Sequence, residues 1–185
     1  MDCIIIGNGS TLLNKKHGEI IDKFDDVVRF NAYTIKSYED YVGTKTTTWF
    51  NVINYVNKDA EWRMTIPYKK IYLHSWQWDT TKDKLYIDFM RFYNNDTEYI
   101  EKTNRSTLLE MQEFNNVKYS TFSTGAISIW LMLKIYKQIY ITGFDWWDND
   151  THHYNDRAPR GTIHKPQIEK SFIDKLISQG RIIMI

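Results

Sequence analysis

Cys3-Ile4-Ile5-Ile6, followed at once by Gly7-Asn8-Gly9-Ser10, narrows the fold more than any other stretch of the chain. Four apolar residues without polar alternation read as a strand buried on both faces, the kind found in a parallel sheet covered by helices. The glycines mark a tight turn out of that strand. Residues 11–24 follow with Leu12, Leu13, Ile20, Ile21 and Phe24 at near-helical spacing, weakened by Gly18. Val27-Val28-Arg29-Phe30-Asn31 then reads as a second strand. Strand, turn, helix and strand open a βαβ unit. The expectation is an α/β fold: a single Rossmann-like domain over residues 1–185, with a mostly parallel sheet flanked by helices.

Further elements follow the same logic. Strands are expected at Thr46 to Asn51, Lys70 to His74, Gln138 to Thr142 and Arg181 to Ile185, where β-branched and other apolar residues cluster. Helices are expected at Asp83 to Tyr93, Thr107 to Phe114, Thr124 to Tyr136 and Pro166 to Ser178. Residues 144–163 lack periodicity and are rich in Asp, Asn, His, Trp and Gly. With His164 at its end, this stretch carries His152 and His153 as well. A loop longer than about 12–15 residues inside one domain is usually functional or disordered. The histidines favour function.

Charge and cysteine usage exclude several classes. The 24 basic and 23 acidic side chains leave a net charge of +1, which makes no electrostatic case for a nucleic-acid or membrane-surface partner. No run approaches the ~18 apolar residues of a membrane span. The first strand begins at Cys3, which leaves no room for a signal peptide, and a single cysteine excludes an internal disulfide. These features point to a cytoplasmic protein. The glycine turn is not a dinucleotide fingerprint, because Leu12 occupies the third-glycine position and the second strand ends in Arg29-Phe30-Asn31 without an acid. No Gly-Lys-Ser/Thr follows to make a P-loop. A tight strand–helix turn without a ligand remains open.

Four segments taken together resemble the sialyltransferases of glycosyltransferase family 29. Cys3 to Thr47 contains C-I-I-I-G-N-G-S, F-D-D-V-V-R-F-N and V-G-T-K-T-T, similar to that family's long motif. Ser123-Thr124-Gly125, through an apolar helix to Ile141-Thr142-Gly143-Phe144, resembles its small motif. His152-His153-Tyr154-Asn155-Asp156 resembles the His/Tyr-rich third motif. His164-Lys165-Pro166-Gln167-Ile168-Glu169 fits the very small motif. The opening Gly-Asn-Gly and the strand-Gly-x-Asp segment also resemble the bacterial family 42 sialyltransferases. The family's usual disulfide has Cys3 for one partner, and the other position falls near Tyr136.

The resemblance implies a GT-A-like variant of the α/β fold and an inverting, metal-independent glycosyltransferase. Sialic acid, or a related keto-sugar, would move from a CMP-activated donor to a glycan hydroxyl, with no cofactor beyond that donor. His164 is the expected general base, its near-neutral pKa suiting proton removal at physiological pH. Glu169 is its expected support. His153, with Tyr154 as helper, would donate to the leaving phosphate. Gly7, Asn8, Gly9, Asn31, Ser123, Thr124, Gly125 and Gly143 would line the donor site at the C-terminal edge of parallel strands. Ser123 read alone is a helix cap. Arg29 and Lys45 are weaker phosphate partners, since such residues as often make salt bridges.

Aromatics make up 16% of the chain and divide between core and site. Tyr72, Phe89, Phe92 and Trp130 read as core. Trp146 and Trp147 lie in the long loop, and Trp76 and Trp78 lie just past a strand, where sugar faces could stack; these four are the expected acceptor contacts. Two other readings compete. Asp148-Asn149-Asp150 is a D-x-D pair that would suit a metal-dependent nucleotide-sugar transferase. A nucleotide- or glycan-binding module on a degenerate transferase fold is the other, although a mere binder has no need of His153, Tyr154, His164 and Glu169.

Overall fold

The N-terminal apolar run forms a strand with both faces covered: Cys3 and Ile5 enter one hydrophobic cluster, Ile4 and Ile6 another. A computed structural model describes residues 1–52, 63, 65–75, 84, 86–90, 100–118, 121–145, 153–155 and 164–185. Its strands are β1 (Cys3–Ile6), β2 (Asp26–Phe30), β3 (Thr48–Val52), β4 (Lys70–His74), β5 (Ile100–Lys102), β6 (Ile139–Thr142) and β7 (Ile182–Met184). Its helices are α1 (Gly18–Ile21), α2 (Glu39–Val42), α3 (Arg105–Asn115), α4 (Thr124–Ile135) and α5 (Pro166–Ser178). Residues 86–90 are helical as well.

Among the described residues the strands form one sheet in the order β5-β4-β3-β2-β1-β6-β7, and every pairing is parallel. The mostly parallel sheet expected from the sequence is therefore parallel throughout. From β1 the chain steps outward through β2, β3, β4 and β5, then returns to the other side of β1 as β6. That reversal puts a topological switch point between β1 and β6. Open α/β sheets bind ligands at such a point, outside the carboxyl ends of the strands.

Side-chain alternation builds a layer on each face. On one, Cys3, Ile5, Val28, Phe50, Tyr72 and Ile141 pack with Leu108 and Met111 of α3, Ile127 and Ile129 of α4, and Phe172 of α5. On the other, Trp49, Ile71 and Leu73 meet Tyr33, Tyr68 and Phe89, while Ile4, Ile6 and Val27 meet Leu12, Ile21, Val42 and Tyr154. Tyr72 and Phe89 are core, as expected, and Trp130 packs half-buried against Phe114 and Phe172. Phe92 lies outside the described residues.

The expected helix over 11–24 is instead two short pieces, a 3-10 turn at Ser10–Asn14 and α1, separated by an extended Lys15. Gly18 opens α1 and lets it lie close to α2: a Cβ there would sit 2.1 Å from the Glu39 carbonyl oxygen. Neither α2 nor β5 is foreshadowed in the sequence, since four and three residues are too short to show a period.

Where the family resemblance puts a disulfide at Cys3, a hydrogen bond stands instead. The Tyr136 hydroxyl donates to the Asp26 carboxylate, which also accepts from Lys69 Nζ at 2.8 Å. Asp26 is the register partner of Cys3. Burial alone would raise the Asp26 carboxyl, but hydrogen bonds from Lys69, Tyr136 and Thr47 outweigh it and hold the pKa below the usual range. Burial and the neighbouring Asp26 push the Cys3 thiol up to about 12, so it stays protonated and inert.

Gly7→Ala tests the switch-point packing. Its Cβ would fall 2.1 Å from the Gly143 carbonyl oxygen, which is backbone and cannot rotate away. Denaturant unfolding should show a loss of roughly 3 kcal/mol or more. A variant as stable as wild type would refute the close approach.

Candidate active site

Polar residues gather along the C-terminal edge of the sheet, where the strands stop and their last side chains face out of the layer. Asn31 follows β2, Asn8 lies just past β1, and Thr142 ends β6 with Gly143 after it. The turn after β1 is tied to β6 by backbone bonds: Gly7 N–H donates to Thr142 O at 2.8 Å and Gly9 N–H to Gly143 O at 2.9 Å. Gly143 has a positive φ of 74°, and a Cβ on it would strike Leu12. Leu12, at the third-glycine position, thus packs on Gly143 where a dinucleotide fold would keep open space. Both Gly7 and Gly9 N–H groups serve the fold; their part in the site is to let the two strand ends touch. Asp145 closes the same turn by accepting from Ser10 N–H at 3.1 Å.

Asn8 is nearly buried, and its carbonyl accepts the Tyr154 backbone N–H at 2.8 Å. That bond brings His153 and Tyr154 from the long loop onto the glycine turn. The Tyr154 hydroxyl donates to the Thr34 carbonyl and accepts from the Thr34 N–H. The expected helper to the leaving group is thus a clamp: its hydroxyl holds the chain after β2 and fixes His153 beside Asn8. Asn31 adopts a positive φ of 51° and bridges three elements. Its Oδ1 accepts Val52 N–H at 3.1 Å, its Nδ2 reaches the Thr124 hydroxyl at 3.3 Å, and its carbonyl accepts Trp49 Nε1 at 3.1 Å.

α4 begins beside that bridge. Ser123 is its N-cap, accepting Ala126 N–H at 3.2 Å. The same residue is gripped by Glu169 on α5: Ser123 N–H donates to Oε1 at 2.8 Å and the hydroxyl to Oε2 at 2.6 Å. Glu169 is 2% exposed. Burial pushes its carboxyl up to about 7, against the pull of both Ser123 hydrogen bonds. Gly125 follows because a Cβ would crowd the Phe30 and Phe144 rings at 3.0 Å each.

His164 stands half-buried just before α5. Its Nδ1 lies 2.9 Å from the Thr121 carbonyl oxygen and 3.8 Å from Glu169 Oε1. A carbonyl only accepts, so Nδ1 carries the proton and the basic lone pair belongs to Nε2. The carboxylate then lies where it stabilises the imidazolium formed when Nε2 takes up a proton. Thr121 and Asp145 carry this geometry without having been foreseen as site residues. Asp145 had a signal, as the acid of the strand-Gly-x-Asp segment; a carbonyl such as that of Thr121 has none.

The switch point therefore collects Asn8, Asn31, His153 and Tyr154 with Ser123, Thr124, His164 and Glu169. The same order of residues matches a family model, Glycosyltransferase family 29 (sialyltransferase), over residues 1–65 and 49–181. The chain belongs to that family. It is 27% identical to the rat CMP-N-acetylneuraminate-beta-1,4-galactoside alpha-2,3-sialyltransferase, over 98% of this chain and 56% of the relative. It is 25% identical to human CMP-N-acetylneuraminate-beta-galactosamide-alpha-2,3-sialyltransferase 4, over 97% and 62% respectively. The chain thus spans little more than half the length of these curated relatives. Its fold is that of a mammalian sialyltransferase crystal structure, with a TM-score of 0.76, 19% identity and coverage of 100% of this chain and 68% of that one. The Campylobacter jejuni sialyltransferase CstII, solved with the substrate analogue CMP-3FNeuAc, also aligns, with a TM-score of 0.60, 16% identity and coverage of 99% and 79%.

Arg29 and Lys45, the weaker phosphate candidates, are held within the fold of this family 29 chain. Arg29 does not reach the edge: it is buried and donates to the Val42, Gly43 and Lys45 carbonyls and the Thr46 hydroxyl. Lys45 donates to the Phe24 carbonyl. Both hold the loop after α2 rather than a phosphate. Trp76, Trp78, Trp146, Trp147, His152, Asp148 and Asp150 lie outside the described residues.

The raised Glu169 pKa gives a signed prediction. Between pH 4.5 and about 7 the folded chain keeps a proton on Glu169 that the unfolded chain has lost. Folding stability therefore falls as pH rises across that window and stays lower above it. The shift corresponds to roughly 3 kcal/mol at full effect. Urea unfolding at pH 5 and pH 8 should show this loss in wild type and lack it in Glu169→Gln; parallel behaviour of the two proteins would refute it.

Proposed function

We propose that this chain transfers sialic acid from CMP-N-acetylneuraminate to a hydroxyl of a galactose-terminated glycan, with inversion and without a metal ion. The observation that carries this reading is the chain of bonds from Thr121 through His164 and Glu169 to Ser123. It fixes a histidine tautomer, backs it with a buried carboxylate and anchors both at the start of α4. A nucleotide-binding module has no use for such an arrangement.

In the proposed reaction the acceptor oxygen attacks the anomeric carbon of the donor sugar. The bond from that carbon to the phosphate oxygen breaks, and its electron pair leaves with CMP. His164 Nε2 takes the acceptor proton, and Glu169 stabilises the imidazolium through the ring's other side. His153 donates to the departing phosphate, held in place by the Tyr154 bonds to Asn8 and Thr34. Asn8 and Asn31 carry carboxamides suited to the nucleotide and phosphate. The names of the relatives favour N-acetylneuraminate over a Kdo-like sugar as donor and a galactoside as acceptor. The fully buried Cys3, with no second cysteine in the sequence, fits a reducing compartment such as the cytoplasm.

His164→Ala should lower the transfer rate about 100-fold or more, the scale of general-base catalysis, and leave CMP affinity within a few-fold by calorimetry. Near-normal turnover would overturn the base assignment. Transfer should also persist in excess chelator. Its loss there, restored by Mg²⁺ or Mn²⁺, would move the chemistry to the Asp148/Asp150 pair.

A further inference from the structure

The chain leaves β2 through Asn31-Ala32-Tyr33-Thr34, and Tyr33 has no part in the proposed chemistry. It is 1% exposed. The Arg29 and Arg63 guanidiniums lie over its ring, 5.6 Å and 5.4 Å from the centroid. Both distances suit a cation–π attraction, which gains strength away from water. Arg63 is buried as well, and its Nε donates to the Tyr33 carbonyl at 2.9 Å. The Tyr33 hydroxyl lies 2.7 Å from that of Tyr68, whose ring stacks on Trp49 at 5.6 Å. Burial raises the Tyr33 pKa, so the phenol stays neutral at physiological pH.

The carbonyls of this stretch are held from different parts of the chain. Trp49 Nε1 on β3 donates to Asn31 O at 3.1 Å, Arg63 Nε to Tyr33 O, and the Tyr154 hydroxyl to Thr34 O. Thr34 makes two further bonds to the histidine loop. Its N–H donates to the Tyr154 hydroxyl at 3.3 Å, and its own hydroxyl accepts Asn155 Nδ2 at 2.8 Å. Three bonds with residues 154 and 155 thus end on Thr34, the residue next to Tyr33. Tyr38 packs edge-on against the Tyr154 ring, with centroids 5.1 Å apart. His153 precedes Tyr154, so its place is set from Thr34 on one side and from the Asn8 carbonyl on the other. An aliphatic side chain at position 33 would fill space among Trp49, Ile71 and Leu73. Only an aromatic ring also gives two guanidiniums a face to rest on.

We infer that Tyr33 is a positioning residue for His153: its ring, held by Arg29 and Arg63, fixes Thr34, and Thr34 fixes the loop that carries the histidine. The inference rests on the sialyl-transfer reading, in which His153 donates to the departing phosphate. A misplacement of about 1 Å, caused far from the chemistry, can cost about 100-fold in rate. Tyr33 therefore acts on the reaction without touching substrate.

The test is a double-mutant cycle between Tyr33→Leu and His153→Ala in the full chain. The readout is release of CMP from CMP-N-acetylneuraminate with lactose or Galβ1-3GalNAc as acceptor. Tyr33→Leu should lower kcat about tenfold or more and leave the acceptor KM within about twofold. In the His153→Ala background the same substitution should cost less than about twofold, because the group it positions is gone. Tyr33→Phe, which keeps the ring, should recover most of the lost rate. A wild-type kcat in Tyr33→Leu, or losses that multiply in the double variant, would overturn the inference and leave Tyr33 a core residue alone. If Tyr33→Leu does not fold, Arg63→Gln takes its place in the cycle. It withdraws the Nε donor from the Tyr33 carbonyl and one cation from the ring, and the same outcomes decide. A His153→Ala chain with the wild-type rate would overturn this inference and the leaving-group role of His153, while sialyl transfer itself stands. A wild-type chain that releases no CMP would overturn the sialyl-transfer reading with it.

Discussion

The approach of Gly7 to Gly143 is the contact on which the rest of the edge depends. β1 and β6 are neighbours in space but separated by most of the chain. Their ends meet because neither residue has a Cβ, and two backbone bonds then lock the turns together. Leu12 and Asp145 complete the closure from either side. Once this turn is rigid, Asn8 has a fixed place, its carbonyl can receive Tyr154, and the histidine loop has an anchor. The glycines are thus architectural. They create the switch point at which a ligand is expected without lending their own N–H groups to it.

A second coupling joins that edge to the helices above it. Glu169 on α5 and Ser123 at the cap of α4 are 46 residues apart in sequence and share two hydrogen bonds. A carboxylate buried to this degree is costly unless paired. Its carboxyl is raised toward neutrality, yet the two bonds still favour its ionised form. The carboxylate lies, at the expense of stability, 3.8 Å from His164 Nδ1. Tertiary structure makes the cap, the carboxylate and the histidine one connected unit.

The sequence carried most of the scaffold and part of the site. β1, β4 and α5 are legible to the residue, because unbroken apolar runs and a proline at a helix start are local signals. The apolar spacing over 11–24 is helical, yet the chain extends at Lys15, and Gly18 answers to Glu39, 21 positions away. Arg29 was ambiguous for the same reason. A guanidinium near a motif suits a phosphate or a carbonyl cluster equally well until the fold shows it buried among the carbonyls of α2. Residue types announced Ser123, His164 and Glu169. Their mutual distances, and the carbonyl of Thr121 that sets the tautomer, exist only in three dimensions.

The network around Asp26 shows how a family scaffold is kept with different chemistry. Tyr136 caps α4 at its C-terminus, and its hydroxyl reaches across to Asp26 at the start of β2. It ties the bottom of the helix to the strand next to Cys3, where the resemblance places a covalent bridge. A disulfide constrains the unfolded chain as well as the folded one. A hydrogen bond to a carboxylate acts in the folded state alone, and this one is strongest while Asp26 is ionised. Lys69 and Thr47 supply that condition by holding its pKa down. The anchor sits at the opposite end of the strands from His164. The residues that keep α4 on the sheet are therefore separate from those that use its N-terminus.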